Sequence, residues 1–166
     1  MDYDCGFTRD NRWFRYRAAA IIVEDGCILM AQNDRDDYLY SVGGAVKMCE
    51  SAEAAVQREV LEETGMEYEI DRLVFIHENF FEGEGSIHAL HCHEVAFYFL
   101  MKSRGIKELR GHSTTSDGVE ERMVWIPLED LHKYRHFPDF LGEKLKGLKP
   151  GIEHIVTYEM NGKKAM

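Results

Sequence analysis

The 166-residue sequence predicts an α/β fold in which a mixed β-sheet lies between helices. Three observations lead there. β-rich apolar runs recur on both sides of one well-delimited helix, a turn signal separates two of those runs, and a second amphipathic stretch follows near the C-terminal end. A single domain over residues 1–166 accommodates all of it, because 45% of the residues are hydrophobic and no repeat or low-complexity tract divides the chain.

Residues 16–23 form a continuous β-rich apolar run, Asp25-Gly26 is a turn signal, and residues 27–31 continue apolar, so a hairpin opens the domain. A helix follows. Ser51 is a good N-cap, residues 52–64 contain neither Pro nor Gly, and Gly65 stands where a glycine ends a helix. Residues 68–76 and 95–101 read as two strands, the first carrying Val74, Phe75 and Ile76 and the second the run VAFYFLM. Met123, Val124, Trp125 and Ile126 are strand-like up to Pro127, and residues 128–131 read as a short helical turn. Residues 138–148 read as a second helix with Phe140, Leu141, Leu145 and Leu148 apolar, and residues 152–160 as a final strand. Residues 111–118, rich in Gly, Ser and Thr, are expected to form a mobile loop.

The chemistry concentrates on the first helix. Glu59, Glu62 and Glu63 are spaced i, i+3, i+4, which places three carboxylates on one stripe. Ala52 and Ala55 share that stripe and are expected to leave room above the carboxylates, while Val56 and Val60 turn to a flank that packs on a sheet. Clustered carboxylates repel one another unless a cation sits among them, and hard oxygen donors suit Mg²⁺, with Mn²⁺ as the alternative. Taken alone, the triplet reads first as a solvated acidic helix face.

The residues at fixed distance around it change that balance: Gly44, Glu50, Arg58-Glu59, Val60, Glu62-Glu63, Gly65 and Met66. The segment from Gly44 to Met66 resembles the Nudix box, GX5EX7REUXEEXGU with U hydrophobic, at every specified position. The resemblance implies a Nudix-type α/β/α sandwich and a loop-helix-loop that binds a divalent metal. It also implies a pyrophosphohydrolase cleaving a nucleoside diphosphate linked to another moiety. Carried onto this chain, it makes Glu59, Glu62 and Glu63 metal ligands and the Gly43 carbonyl a further one. Arg58 and Glu50 become a pair that orients loop and helix, with Gly44 and Gly65 shaping the loop. Ser41-Val42 stand where many members carry Leu-Pro, a departure in the course of the loop.

Diphosphates are kinetically inert because their anionic oxygens repel a nucleophile, so a catalyst must neutralise charge, orient a water in line and stabilise the leaving phosphate. A carboxylate must also take the water's proton. Glu59 lies in the cluster, while Glu120 and Glu121, expected in a loop just before Met123, are the other candidates; for those two a solvated loop position is the alternative. The catalytic set is therefore Arg58, Glu59, Glu62, Glu120 and Glu121.

Thirty acidic against 20 basic residues give a net charge of −10, which argues against nucleic acid and anionic membranes as partners. A small anionic nucleotide-type substrate remains compatible, because a bound cation reverses the local sign. A homodimer is left open. No apolar run has the length of a membrane span, and the start MDYDCGFTRDN lacks the basic and hydrophobic regions of a signal peptide, so a cytoplasmic protein is expected. Cys5, Cys27, Cys49 and Cys92 are far apart and form no CxxC.

Two constellations lie outside the box. Arg15 and Arg17 share one face of a strand and are candidates to meet a substrate phosphate, although solvated arginines or pairs with the surplus carboxylates fit equally. His88, His91 and His93 form a tempting transition-metal cluster, but hydrogen-bonding histidines near the pocket, His93 together with Glu94, are the preferred reading. Two alternatives to a nucleoside diphosphate-X hydrolase stand beside it. One is a house-cleaning nucleoside triphosphate pyrophosphatase, with the same chemistry and another pocket. The other is a noncatalytic ligand-sensing module, which would be expected to lose a metal ligand, whereas all are present here.

Overall fold

The computed structural model describes residues 2–111, 113–114, 118–160 and 163–164. In chain order its strands are β1 (Gly6–Arg9), β2 (Arg12–Ile21), β3 (Val23–Glu24), β4 (Cys27–Asn33) and β5 (Leu39–Ala45), followed by helix α1 (Ala52–Thr64). Then come β6 (Ile70–Glu82), β7 (His91–Met101), β8 (Ser113–Thr114), β9 (Glu120–Pro127), β10 (His136–Phe137), the short helix α2 (Leu141–Lys144), β11 (Glu153–Met160) and β12 (Lys163–Lys164). The main path across the mixed sheet is β12-β11-β6-β7-β2-β5-β4-β9-β8. At its centre β2 runs parallel to β7 and antiparallel to β5.

The two faces of β2 explain the layers. Successive strand residues point to opposite faces, so Ala18, Ala20 and Ile22 join one buried cluster and Ala19 and Ile21 the other. On the first face α1 contributes Ala52, Ala55, Val56 and Val60. On the second, Leu131 from the 3₁₀ segment Leu128–Lys133 and Leu141 of α2 pack against Val74 and Phe75, with Phe140, Leu145 and Leu148 at the margin. The result is an α/β/α sandwich. Burying a side chain the size of Phe75 stabilises such a core by roughly 1.5–3 kcal/mol.

Asp25 and Gly26 both have positive φ, 49° and 71°, the backbone of a type I′ turn, whose twist matches the flanking strands. Helix α1 starts and ends where its caps dictate. Ser51 accepts a hydrogen bond from the Ala54 amide at 3.1 Å, and Gly65, at φ 69°, sends its own amide to the Leu61 carbonyl.

Several elements depart from the sequence expectation. β6 runs on to Glu82 and β7 begins at His91, because the two strands pair without a break from Phe75 to Glu82 and β7 also pairs with β2. β5 lacks a strand-like composition yet forms, since Gly43 allows an approach in which an added Cβ would lie 2.3 Å from the Ala18 carbonyl oxygen. The helix expected over residues 138–148 shrinks to α2 and the 3₁₀ turn Leu145–Gly147 that directly follows it, a stretch in which Gly142 and Gly147 lower helix propensity. Glu120 and Glu121 are not loop residues: β9 already includes them, with Glu121 opposite Asn33 of β4. Of the loop expected over residues 111–118, residues 112 and 115–117 lie outside the described residues, and Ser113–Thr114 form β8. Among the described residues no helix is long and apolar enough to cross a membrane.

Candidate active site

The site lies where the loop leaving β5 turns into α1. Val46 is tied on both sides, its amide to the Tyr16 carbonyl at 2.9 Å and its carbonyl to the Cys5 amide at 2.7 Å. Tyr3 holds the Met48 amide in the same way, so the N-terminal segment braces the loop. That brace was not visible in the sequence, because its main bonds are made by backbone groups, with Asp2 to Lys47 and Cys5 to Met48 as side-chain additions.

Arg58 organises the inner side of the loop. It binds Glu50 in a fork, donates to Glu59 Oε1 at 2.7 Å and to the Ala45 carbonyl at 3.1 Å, and reaches Glu62 at 3.4 Å. Glu50 also accepts the Lys47 amide at 3.0 Å. Arg58 and Lys47 hold the Glu50 carboxyl below the usual range against burial. Gly44 is required for close approach: a Cβ there would sit 2.5 Å from Glu59 Oε1. Gly65 abuts the backbone of Arg110 and Gly111 at the other end of the helix, where an added Cβ would lie 2.5 Å from the Gly111 nitrogen.

The three helix carboxylates do not stand in one environment. The Glu62 side chain is 56% exposed and that of Glu59 15%, whereas Glu63 is buried at 6%. Ala52 and Ala55, expected to leave room above them, instead pack into the core, because α1 lies directly on the sheet. Glu63 receives the Gly43 amide, and its Oε2 is buried without a hydrogen-bond partner among the described residues. Burial pushes the Glu63 carboxyl well above the usual range; Glu121 and Glu59 add to this and Arg17 opposes it. Glu121 thus comes close to Glu63, while Glu120, its neighbour on β9, is exposed and points to the opposite face.

Arg15 and Arg17 do share a face with Glu94. Arg15 Nε donates to Glu94 at 2.8 Å and its guanidinium lies 5.1 Å from the Trp13 ring. Arg17, 8% exposed, donates to the Ser41 carbonyl at 2.6 Å. Burial works against its charge, but Glu94, Tyr98, Glu63 and Glu59 together hold it in the charged form. His93 stands on the other face, ring to ring with Phe14 and Phe80, so it does not converge with Arg15, Arg17 and Glu94. The residue that sequence reasoning placed only among candidate stacking aromatics is Tyr40, whose hydroxyl donates to Glu121 at 2.7 Å. Its signal would have been the alternation Leu39, Tyr40, Ser41, Val42, had the glycines not masked the strand.

The donor set suits a hard divalent cation in kind, and the orphaned Glu63 Oε2 is the atom a cation would satisfy. As placed, no group of three or more His, Cys, Asp or Glu among the described residues is arranged to hold a metal ion, since Arg58 draws Glu59 and Glu62 toward itself.

The family model for the NUDIX domain matches residues 13–143. The chain belongs to the Nudix family. It is 32% identical to a MutT-like protein of Streptomyces ambofaciens over 115 residues, 66% of this chain and 68% of that one. The crystal structure of a mutator MutT protein from Bacillus halodurans superposes with a TM-score of 0.69 at 16% identity, covering 92% of this chain and 95% of that one. A MutT Nudix hydrolase from Burkholderia pseudomallei gives 0.54 at 28% identity over 71% and 86%. This Nudix protein is a hydrolase of phosphorus anhydride bonds.

Proposed function

We propose that this Nudix hydrolase is a Mg²⁺-dependent pyrophosphohydrolase that cleaves a nucleoside diphosphate linked to another moiety. The observation that carries the reading is Glu63: a buried carboxylate with one unpartnered oxygen, at the box helix, beside Glu59 and Glu121. A carboxyl in that state either keeps its proton or takes a cation in the proton's place, and its raised pKa fits such a site. Once Glu59 and Glu62 turn from Arg58, they, Glu63 and the Gly43 carbonyl would hold the cation, which would supply charge neutralisation at the diphosphate and a more acidic water.

The remaining work belongs to the chain's own groups. Arg58 keeps Glu59 against the Gly44 backbone and Glu50 under the loop. Glu121 takes the proton of the attacking water at its carboxylate, a role that Glu120, facing away, cannot share. Arg17 supplies buried positive charge toward the diphosphate, and Arg15, part-exposed over Trp13 and braced by Glu94, faces the group beyond it. The setting is cytoplasmic.

Phosphate or nucleotide release over a panel of nucleotide sugars, dinucleotides and nucleoside triphosphates, with Mg²⁺ and with chelator, tests the reading. Mg²⁺-dependent turnover of a diphosphate-X compound with little action on triphosphates is expected. Preference for triphosphates would move the substrate to the alternative class, and no turnover of any member would overturn hydrolysis of nucleotides here.

A further inference from the structure

We propose that Tyr40 is the positioning residue for Glu121, holding that carboxylate beside Glu63 through a hydrogen-bond relay that starts at Asn33. This rests on the reading of Glu121 as the proton acceptor.

The relay has a defined direction. Asn33 is 4% exposed, and its side-chain oxygen accepts the amides of Arg35 at 3.0 Å and Asp36 at 2.8 Å. Those two bonds fix which end of the amide is oxygen, so the nitrogen faces Tyr40 and donates to its hydroxyl at 3.3 Å. Because that nitrogen only donates, the Tyr40 proton goes to Glu121 Oε2, at 2.7 Å. All three groups sit on strands already locked together: Asn33 is paired with Glu121 across β4 and β9, and Tyr40 with Ala31 across β5 and β4.

The electrostatics say why such a tether is needed. Two carboxylates brought side by side, as Glu121 and Glu63 are, repel each other when both are charged. Glu121 lies near the start of β9, where the residues on either side are exposed, so water is within reach of its side chain and the Tyr40 bond biases it toward Glu63. A neutral hydroxyl that donates to one oxygen keeps the carboxylate charged and in place, which a second carboxylate or an apolar neighbour would not do.

The contact acts on a group used in the chemical step, so its loss belongs in kcat and not in substrate binding. The test compares wild type, Tyr40→Phe, Glu121→Gln and the double variant with the best substrate of the panel at saturating Mg²⁺. Phenylalanine keeps the ring, so any stacking on substrate survives. Glu121→Gln is expected to lower kcat about a hundredfold or more, the range for a lost general base. Tyr40→Phe is expected to lower kcat about tenfold or more with KM within about twofold, and the double variant to match Glu121→Gln, because the two residues act as one unit. Full kcat in Tyr40→Phe beside an impaired Glu121→Gln overturns the positioning role alone, as do losses that multiply in the double variant or a Tyr40→Phe effect confined to KM. Full kcat in Glu121→Gln overturns the underlying assignment of the base. Thermal unfolding of each variant checks that a kcat loss is not lost folded protein.

Discussion

The guanidinium of Arg58 meets the carboxylate of Glu50 as a fork, Nε to Oε1 at 2.8 Å and Nη2 to Oε2 at 3.0 Å, joining the middle of α1 to the loop that leads into it. Both side chains are largely buried, 22% and 16% exposed, so the pair is only weakly screened. Arg58→Ala is expected to lower stability by about 2–4 kcal/mol, because Glu50 would remain buried without its partner. Turnover should fall as well. Arg58→Lys, which cannot reproduce the fork, should recover little of either. Chemical denaturation and steady-state kinetics on both variants check this; wild-type stability in Arg58→Ala would show that the pair does not organise the loop.

Glu63 and Glu62 should separate stability from catalysis. Glu63→Gln removes a buried carboxyl crowded by Glu121 and Glu59 and only partly offset by Arg17 and the Gly43 amide, and is expected to raise the melting temperature in chelator while lowering turnover by about two powers of ten. Glu62→Gln, at an exposed position, should lower turnover with little change in melting. Calorimetric melting with and without Mg²⁺, alongside turnover, reads both effects; a drop in metal-free melting for Glu63→Gln would contradict the electrostatic account.

The two loop glycines should fail differently. At Gly43 a new Cβ would meet the Ala18 backbone at 2.3 Å, and at φ 148° only glycine is comfortable, so Gly43→Ala is expected to destabilise the fold by about 2 kcal/mol or more. At Gly44 the atoms nearest the new Cβ belong to the Glu59 carboxylate, a side-chain end that gives way by loosening its bond to Arg58, unlike backbone. Gly44→Ala should therefore keep most of its stability and lose activity and Mn²⁺ affinity, measured by titration calorimetry.

His77 should make stability acid-sensitive. It is 3% exposed, and burial lowers its pKa from 6.5 to about 4. The unfolded chain therefore binds the proton first as pH falls, so stability drops between pH 6.5 and pH 4, by up to about 3 kcal/mol, and is restored as pH rises. In His77→Gln the slope over that window should be shallower, as urea denaturation at stepped pH would register. An unchanged slope would place the acid sensitivity elsewhere.

Much of the fold and part of the site were legible in the sequence, wherever the determinant was local. Ser51 and Gly65 delimit α1 because capping depends on neighbouring backbone groups, and the period of the helix alone puts Glu59, Glu62 and Glu63 near one another. The apolar runs around Ala18 to Ile22, Phe75 and Phe99 marked central strands for the same reason. β5 stayed hidden because its glycines lower strand propensity while tertiary pairing with β2 overrides it. Which glutamate of Glu120 and Glu121 faces Glu63 was undecidable as well, since that depends on the register of β9 against β4. The sequence by itself determined the box helix, its carboxylates and the reaction class they suit. Only the tertiary structure decided that Glu63 is buried and Glu62 exposed, that Arg15 is braced by Glu94 while His93 faces away, and that Tyr40 reaches Glu121. The physical reason is distance along the chain: contacts such as Tyr40 with Glu121, 81 residues apart, exist only once strand pairing brings the two residues together.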